Sequence, residues 1–201
     1  MRLFVALDID SAIRQRITVF RDQLRPLAPD VRWGSPENFH VTLQFLGETT
    51  KADEIHHVMQ SIKSLPVPLD VRSAGFFPNS KAPRVFWIGI QSDEHLQQLV
   101  SAISQALAPL GFPREPGLFT PHLTLARSGS GRPQPVPSEK PAPSLQRVRD
   151  ELAKLPSPDF GTMTAHEFYL YESHLSPSGP RYEKRATFPL RPSATANIET
   201  L

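Results

Sequence analysis

Two short stretches of the chain share one alternating pattern of polar and apolar residues. The stretches 39–47 and 121–127 each contain His-x-Thr-Leu. Successive side chains of a strand point to opposite faces, so the alternation predicts two strands, each with one apolar and one polar face. The predicted polar faces carry His40, Thr42 and Gln44, and His122, Thr124 and Ala126. The predicted core faces carry Val41, Leu43 and Phe45, and Leu123 and Leu125.

Apolar residues recur at helical spacing in four other segments, which predicts four helices. These segments cover approximately 11–24, 50–65, 93–107 and 145–155. Asp10 or Ser11 and Ser92 or Asp93 are expected to cap the first and third helices, and Thr50 with Asp53 resembles a capping arrangement for the second.

The remaining apolar runs predict further strands joined by segments rich in proline, glycine and serine. The predicted strands are 3–9, 31–33, 69–77, 84–90, 166–172 and 182–190, with connections that include 78–83 and 173–180. The order strand, helix, motif strand occurs twice. Short turns favour antiparallel pairing, so we expect an α+β protein of two similar lobes, each lobe contributing one histidine to a shared cleft.

Length and composition favour one compact domain over 1–192. The chain has 201 residues, of which 39% are hydrophobic, and this is enough for a sizeable core. The segment 128–143 holds five prolines and is predicted to be an exposed loop, and 193–201 is predicted to be a polar tail.

Composition also excludes several classes of function. The absence of cysteine removes disulfides, thiolate catalysis and cysteine-bound metals. A net charge of +2 permits a phosphate-bearing ligand without requiring a surface that coats nucleic acid. No apolar run reaches the length of a membrane span, and we expect a monomeric cytoplasmic protein. Metalloprotease, P-loop, serine hydrolase and dinucleotide-binding motifs are all missing.

Two histidines and two threonines suffice for metal-free cleavage of a reactive phosphodiester. One imidazole can take a proton from water while the other gives a proton to the leaving oxygen. Threonine hydroxyls can donate hydrogen bonds to the phosphoryl oxygens. A single His-x-Thr in a strand is usually an ordinary polar face, but two copies with apolar residues at equal offsets favour a joint site. No third ligand occurs at a regular spacing, so we expect no metal.

Additional residues are similar to those of a known family. They are residues 1–8, Trp33, the stretches 36–48 and 121–127, and Leu170 to Ser173 with Leu175, Gly179 and Tyr182. This set, spread from residue 1 to about 190, resembles the RNA 2′,3′-cyclic phosphodiesterase (LigT-like) family of two-histidine phosphoesterases. The resemblance implies a bilobal α+β fold with pseudo-twofold symmetry, in which helices lie outside two antiparallel sheets that flank a central cleft.

The resemblance also implies an activity and roles for four residues. The reaction would hydrolyse a terminal 2′,3′-cyclic phosphate on RNA to a 2′-phosphomonoester, without metal or nucleotide cofactor. His40 would be the proton donor to the 3′ oxygen and His122 the proton acceptor that activates water, while Thr42 and Thr124 would hold the phosphate. The two motifs are nearly equivalent, so the residues themselves do not distinguish donor from acceptor.

Three further residues are candidate substrate contacts. Arg127 is either a phosphate ligand or a surface arginine, and Tyr171 and Phe45 either stack on a base or belong to the core. The expected substrates are RNA ends or small cyclic nucleotides. Alternatives are ligation or cleavage of 2′-5′ linkages and, from another class, a non-catalytic module that binds RNA ends.

Overall fold

A computed structural model describes residues 1–114, 117–129, 143–176 and 179–191, and within these ranges it contains nine strands and four α-helices. The strands are β1 (Arg2–Asp8), β2 (Arg32–Trp33), β3 (His40–Glu48), β4 (Val67–Phe77), β5 (Val85–Ser92), β6 (His122–Arg127), β7 (Asp159–Ala165), β8 (Glu167–Ser176) and β9 (Gly179–Pro189). The helices are α1 (Ser11–Leu24), α2 (Ala52–Gln60), α3 (Glu94–Leu107) and α4 (Pro143–Leu152). The predicted loop 128–143 and tail 193–201 lie largely or wholly outside the described residues.

The strands form two antiparallel sheets, which confirms the predicted α+β class. Sheet 1 has the order β3-β1-β8-β9 and sheet 2 the order β2-β6-β5-β4-β7. The motif strand β3 pairs with β1, the strand before α1, and the motif strand β6 pairs with β5, the strand before α3. The lobes are not two consecutive halves of the chain, because β8 and β9 complete sheet 1 and β2 joins the edge of sheet 2.

The two faces of β1 show how the sheets divide core from cleft. Leu3, Val5 and Leu7 are buried in the main core, together with the apolar stripes of the helices. Phe4 and Ala6 point the other way and form a separate cluster with Tyr171. Burial of the large apolar side chains fixes one face of the sheet against the core, so the opposite face is left to line a cleft.

Helix starts follow the local sequence in two cases out of three. The side chain of Asp10 accepts a hydrogen bond from the Ile13 amide, and Asp93 accepts one from the His95 amide. The prediction for α2 is wrong at both ends. Thr50 does not cap it, since the N-cap is Lys51 without a side-chain hydrogen bond, and the helix ends at Gln60, not near residue 65.

Three differences concern the strands. No strand is predicted from the sequence at β7, which follows α4 after the connection 153–158. Residues 173–176 and 179–180, expected in a connection, are paired in the β8–β9 hairpin. β3 continues through Gly47 to Glu48. Each difference arises where pairing with a distant or neighbouring strand overrides weak local propensity.

Arg14 holds the beginning of β3 in place. Its guanidinium donates to the backbone carbonyls of Pro36 and Phe39, just before His40, and to the carbonyl of Ile9 and the carboxylate of Asp8 at the end of β1. One half-buried side chain of α1 therefore ties the entrance of the motif strand to its neighbour. An arginine suits this task because its donors form a fixed planar fork.

We expect Gly89→Ala to destabilise the protein by about 1–3 kcal/mol, the usual cost of overpacking. A Cβ atom at this position would lie 2.3 Å from the Ser73 hydroxyl oxygen and 2.8 Å from the Arg72 carbonyl oxygen. Urea unfolding measures the loss. Gly34→Ala is the control, because its new Cβ would lie an ordinary 3.4 Å from the Leu125 carbonyl oxygen. Equal stabilities of the two variants would contradict the expected crowding.

Candidate active site

His40 and Thr42 lie on the cleft face of sheet 1, as predicted. In the β1–β3 ladder Asp8 is opposite His40 and Ala6 is opposite Thr42. Residues directly opposite each other in a ladder share a face, and Ala6 belongs to the cluster on the cleft side. Val41, opposite Leu7, is fully buried in the core.

A β-bulge in β3 reverses the alternation after Thr42. Val5 pairs with Gln44 and Ala6 with Thr42, so Leu43 is an extra residue in the motif strand. The prediction that Gln44 lies on the polar face and Phe45 on the core face is therefore wrong. Gln44 turns into the protein, where its amide donates to the Phe112 carbonyl at 2.9 Å. Phe45 turns to the cleft face and is 56% exposed.

The second motif carries the same bulge. Phe86 pairs with Ala126 and Trp87 with Thr124, which leaves Leu125 as the extra residue. Ala126, predicted on the polar face, is buried instead. Arg127 returns to the face of His122 and Thr124, and its guanidinium donates to the Thr124 hydroxyl at 3.3 Å. Phe45 and Arg127 thus occupy equivalent positions, five residues after their histidines.

Both imidazoles are held by the same backbone hydrogen bond. Nδ1 of His40 lies 2.7 Å from the carbonyl oxygen of Asn38, and Nδ1 of His122 lies 2.8 Å from that of Thr120. A carbonyl only accepts, so each Nδ1 carries the hydrogen and each Nε2 remains for chemistry. Nε2 of His40 lies 3.1 Å from the Thr42 hydroxyl, which pairs the two motif side chains directly.

Aromatic rings to which the sequence analysis gave no role at the site surround both histidines. The ring centroid of His40 is 4.9 Å from that of Phe4 and 5.1 Å from that of Tyr182, which meets it edge-on. The ring of His122 is 4.9 Å from Phe77, edge-on, and 6.4 Å from Trp87. Phe4 lies between the core residues Leu3 and Val5 of β1. The alternation of side chains along a strand could therefore have predicted that Phe4 faces the cleft.

These surroundings favour neutral imidazoles in the free protein. Burial lowers the pKa of His40 to about 4, and the positive charge of Arg127 and the proximity of His122 act in the same direction. Burial also lowers the pKa of His122, again with a contribution from Arg127. An anion bound between them would have the opposite effect, because it favours the protonated form of each ring.

The two motifs face each other across the cleft. β3 and β6 pack against one another although they belong to different sheets, and the charges of His122 and Arg127 act on His40. Tyr182 from β9 is close enough to Arg127 for each to influence the pKa of the other. The structure therefore brings together the two histidines and Arg127 as expected.

The two aromatic candidates from the sequence differ in exposure. Tyr171 is 7% exposed, and its ring stacks on that of Phe4 with the centroids 5.2 Å apart. It therefore packs against Phe4 in the cleft wall and offers little free surface itself. Phe45 is more than half exposed beside the same ring of Phe4, at 6.1 Å. Of the two, Phe45 is the one that offers a free aromatic surface.

Other features limit what the described residues can bind. They contain no group of three or more histidine, aspartate or glutamate side chains able to hold a metal ion. Within the same residues no helix is long and apolar enough to cross a membrane.

A groove of about 560 Å³ lies beside Asp8 and includes neither His40 nor His122. Its lining combines the carboxylates of Asp8, Asp10 and Glu167 with the guanidinium of Arg191. Because the groove lacks the two motif histidines, we do not place the substrate there.

The fold and the site together define a class of protein. Two sheets present equivalent His-Thr pairs to one cleft, with each imidazole oriented through Nδ1 and with Arg127 on the same strand as His122. Such a pair of imidazoles is equipped to move two protons at a phosphate, one on either side of the phosphorus. The arrangement is typical of enzymes that cleave phosphoesters with two histidines.

Comparison with known proteins identifies the family. The model of the LigT-like phosphoesterases matches this chain twice, over residues 7–87 and 88–182, and each match contains one of the two motifs. The chain belongs to the LigT-like phosphoesterase family. The double match also agrees with the duplication inferred from the two motifs.

Relatives and solved structures agree over nearly the whole chain. An RNA 2′,3′-cyclic phosphodiesterase of Archaeoglobus fulgidus is 34% identical over 190 residues, which cover 94% of this chain and 99% of the relative. One of Methanocaldococcus jannaschii is 35% identical over 91% of this chain and 97% of its own. The crystal structure of E. coli LigT complexed with 3′-AMP has a TM-score of 0.72 and 28% identity, covering 94% of this chain and 97% of that one.

The buried state of His40 should make stability depend on pH. The pKa is about 4 when folded against 6.5 ordinarily, so the unfolded chain binds a proton that the folded protein excludes. As the pH falls from 6.5 towards 4, we expect the wild type to lose stability relative to His40→Gln, by up to about 1.4 kcal/mol per pH unit. Urea unfolding at several pH values measures this. Parallel curves would contradict it, and His57→Gln, at an exposed position of α2, is the control.

Proposed function

We propose that this protein hydrolyses RNA 2′,3′-cyclic phosphate ends to 2′-phosphomonoesters, by metal-free general acid and base catalysis with two histidines. The observation that carries the proposal is the paired geometry, in which both imidazoles are fixed through Nδ1, so that proton transfer falls to Nε2 of each ring. Nε2 of His40 lies 3.1 Å from the Thr42 hydroxyl, which the substrate would displace. Relatives named RNA 2′,3′-cyclic phosphodiesterase support the substrate. Because one chain supplies both histidines, we assign the reaction to a monomer, and we place it in the cytoplasm.

The reaction needs two proton transfers on opposite sides of the phosphorus. Nε2 of His122 takes a proton from water, whose oxygen forms the new bond to phosphorus. The bond between phosphorus and the 3′ oxygen breaks, and Nε2 of His40 gives its proton to that oxygen. The 2′ oxygen keeps the phosphoryl group. Atoms balance with one water consumed, and no cofactor takes part.

Hydrogen-bond donors hold the phosphoryl oxygens while charge accumulates on them. The hydroxyls of Thr42 and Thr124 share the cleft face with their histidines. Arg127, which already contacts Thr124, adds a positive charge at the same place. Donors fixed before the reaction stabilise the transition state without reorganisation. Phe45 stacks on the base of the terminal nucleotide, while Tyr171 acts through its support of Phe4.

Substrate binding also prepares the acid. Burial keeps the free imidazoles neutral, with the pKa of His40 at about 4. A bound phosphodiester brings a negative charge within a few ångströms of both rings and raises both pKa values. One ring can then be protonated near neutral pH while the other stays basic. The site is thus set for acid–base chemistry by its own substrate.

A second candidate function in the same family is the joining or cleavage of 2′-5′ linkages, since the same acid and base would serve. A non-catalytic module that binds RNA ends is the alternative from another class. It is disfavoured because a binding site alone does not require two imidazoles that are both oriented through Nδ1. Product analysis separates the three, because ligation gives a longer RNA and binding alone gives no product.

An RNA oligonucleotide ending in a 2′,3′-cyclic phosphate should be converted to the 2′-phosphate in the presence of EDTA. We expect His40→Ala and His122→Ala each to lower turnover by at least about 10²-fold, the lower end of what a general acid or base supplies. Chromatography of the products measures both results. The exposed His57→Ala is the control. A 3′-phosphate product would contradict the assigned leaving group, and loss of activity in EDTA would contradict the metal-free mechanism.

Phe45 and Arg127 should affect different steps although they occupy equivalent positions. We expect Arg127→Met to lower kcat by about 10²-fold, as for the loss of one transition-state donor. Phe45→Ala should raise KM by about 10-fold with kcat nearly unchanged, as for the loss of one stacked base. A base-free ribose cyclic phosphate should not distinguish Phe45→Ala from the wild type. The control is Val19→Ala, at a 55% exposed position of α1.

A further inference from the structure

The two halves of the cleft differ in the residue opposite each histidine. Asp8 is opposite His40 in the β1–β3 ladder, and Gly89 is opposite His122 in the β5–β6 ladder. The second position has no room for a side chain, because a Cβ at Gly89 would lie 2.3 Å from the Ser73 hydroxyl oxygen and 2.8 Å from the Arg72 carbonyl oxygen. Only one of the two imidazoles therefore has a carboxylate as its cross-strand neighbour.

Asp8 is fixed as an anion. Its carboxylate accepts hydrogen bonds from Arg14 at 2.5 Å, Lys184 at 2.7 Å and the Ile9 amide at 2.9 Å. Burial opposes its ionisation, but the hydrogen bonds from Lys184 and Ile9 and the charges of Lys184 and Arg14 hold its pKa below the ordinary value. Arg14 is also bound to the carbonyls before His40, so one guanidinium ties the carboxylate of Asp8 to the backbone that leads into the opposite residue, His40.

The charged and titratable groups around His40 come from several elements. They are Asp8 of β1, Arg14 of α1, His122 and Arg127 of β6, Tyr171 of β8, and Tyr182 and Lys184 of β9. Arg127 and His122 disfavour a proton on His40, and Asp8 favours it. Burial raises the pKa of both tyrosines, so they stay neutral. Among these groups Asp8 is the anion.

Resting on the proposed function, we propose that Asp8 is the positioning residue that makes His40, and not His122, the proton donor. In the free protein burial outweighs Asp8 and lowers the pKa of His40 to about 4, so the assignment concerns the substrate complex. There the bound phosphate favours a proton on either imidazole, and Asp8 adds a second anion that acts on His40. The second anion therefore directs the proton to His40, and His122 remains the base. The two motifs are nearly symmetric, and this carboxylate makes them different. Asp8 is opposite His40, whereas close packing at Gly89 leaves no room for a side chain opposite His122.

Two substitutions with opposite electrostatic effects test this. Asp8→Asn removes the anion and leaves the cations of Arg14 and Lys184, so the pKa of His40 should fall. Lys184→Met removes a cation that neutralises Asp8, so the pKa of His40 should rise. The pH dependence of kcat reports the pKa values of the substrate complex, in which the protonated acid sets the alkaline limb. We expect this limb to move to lower pH in Asp8→Asn, by about one unit, and to higher pH in Lys184→Met.

NMR titration of both imidazoles gives a readout that does not need turnover. The His40 resonances should shift their titration in the same directions, and those of His122 should stay. Movement of the acidic limb in Asp8→Asn would make His40 the base and overturn the proposal, as would unchanged titration of His40. Loss of rate with unmoved limbs would show a purely structural role for Asp8 and would also overturn it.

The control variant is Glu48→Gln, at the far end of β3, where the side chain is 79% exposed. It removes one negative charge from the same sheet and should move neither limb. A wild-type protein that leaves the cyclic phosphate intact would refute the proposed function. In that case the NMR titration of Asp8→Asn and Lys184→Met still decides whether Asp8 controls the protonation of His40.

Discussion

A one-residue β-bulge in each motif strand is the constraint on which the site depends. In a regular strand every second side chain lies on the same face. Without a bulge, the next side chain on the face of the histidine and threonine would be Gln44 in the first motif and Ala126 in the second. The extra residue reverses the alternation of faces along the strand. Apolar side chains before and after the bulge can therefore both point into the core. Phe45 and Arg127 are thereby brought to the cleft beside the His-Thr pairs, where an aromatic ring and a guanidinium can meet a nucleotide.

The same architecture explains why the imidazoles are half-buried yet available. Each is tied through Nδ1 to a backbone carbonyl two residues earlier, which fixes both its tautomer and its direction. Aromatic rings pack against both, and burial lowers the pKa of each. Neutral rings in a cleft containing an arginine remain without a proton until an anion arrives. In the proposed mechanism, binding and proton transfer are therefore coupled through charge.

The duplication creates two nearly equal half-sites, and a reaction with one acid and one base needs them to differ. The differences lie in the side chains around the motifs: an aromatic ring in one position and Arg127 in the other, and a carboxylate opposite His40 where the second half has glycine. The glycine is required because the neighbouring strand approaches closely. Packing in one lobe thus limits which charges the cleft can hold, and this gives the two histidines different surroundings.

The sequence by itself determined the helices, most strands and the placing of His40 and His122 with their threonines, because periodicity and capping are local properties. Only the tertiary structure decided the rest. β7 has weak local propensity and exists through its pairing with β4. The bulges at Leu43 and Leu125 leave no local mark in the sequence, since an extra residue is defined by its partner strand. The neighbours of each histidine across its ladder depend on register between segments more than thirty residues apart, and register is set by packing of the whole core.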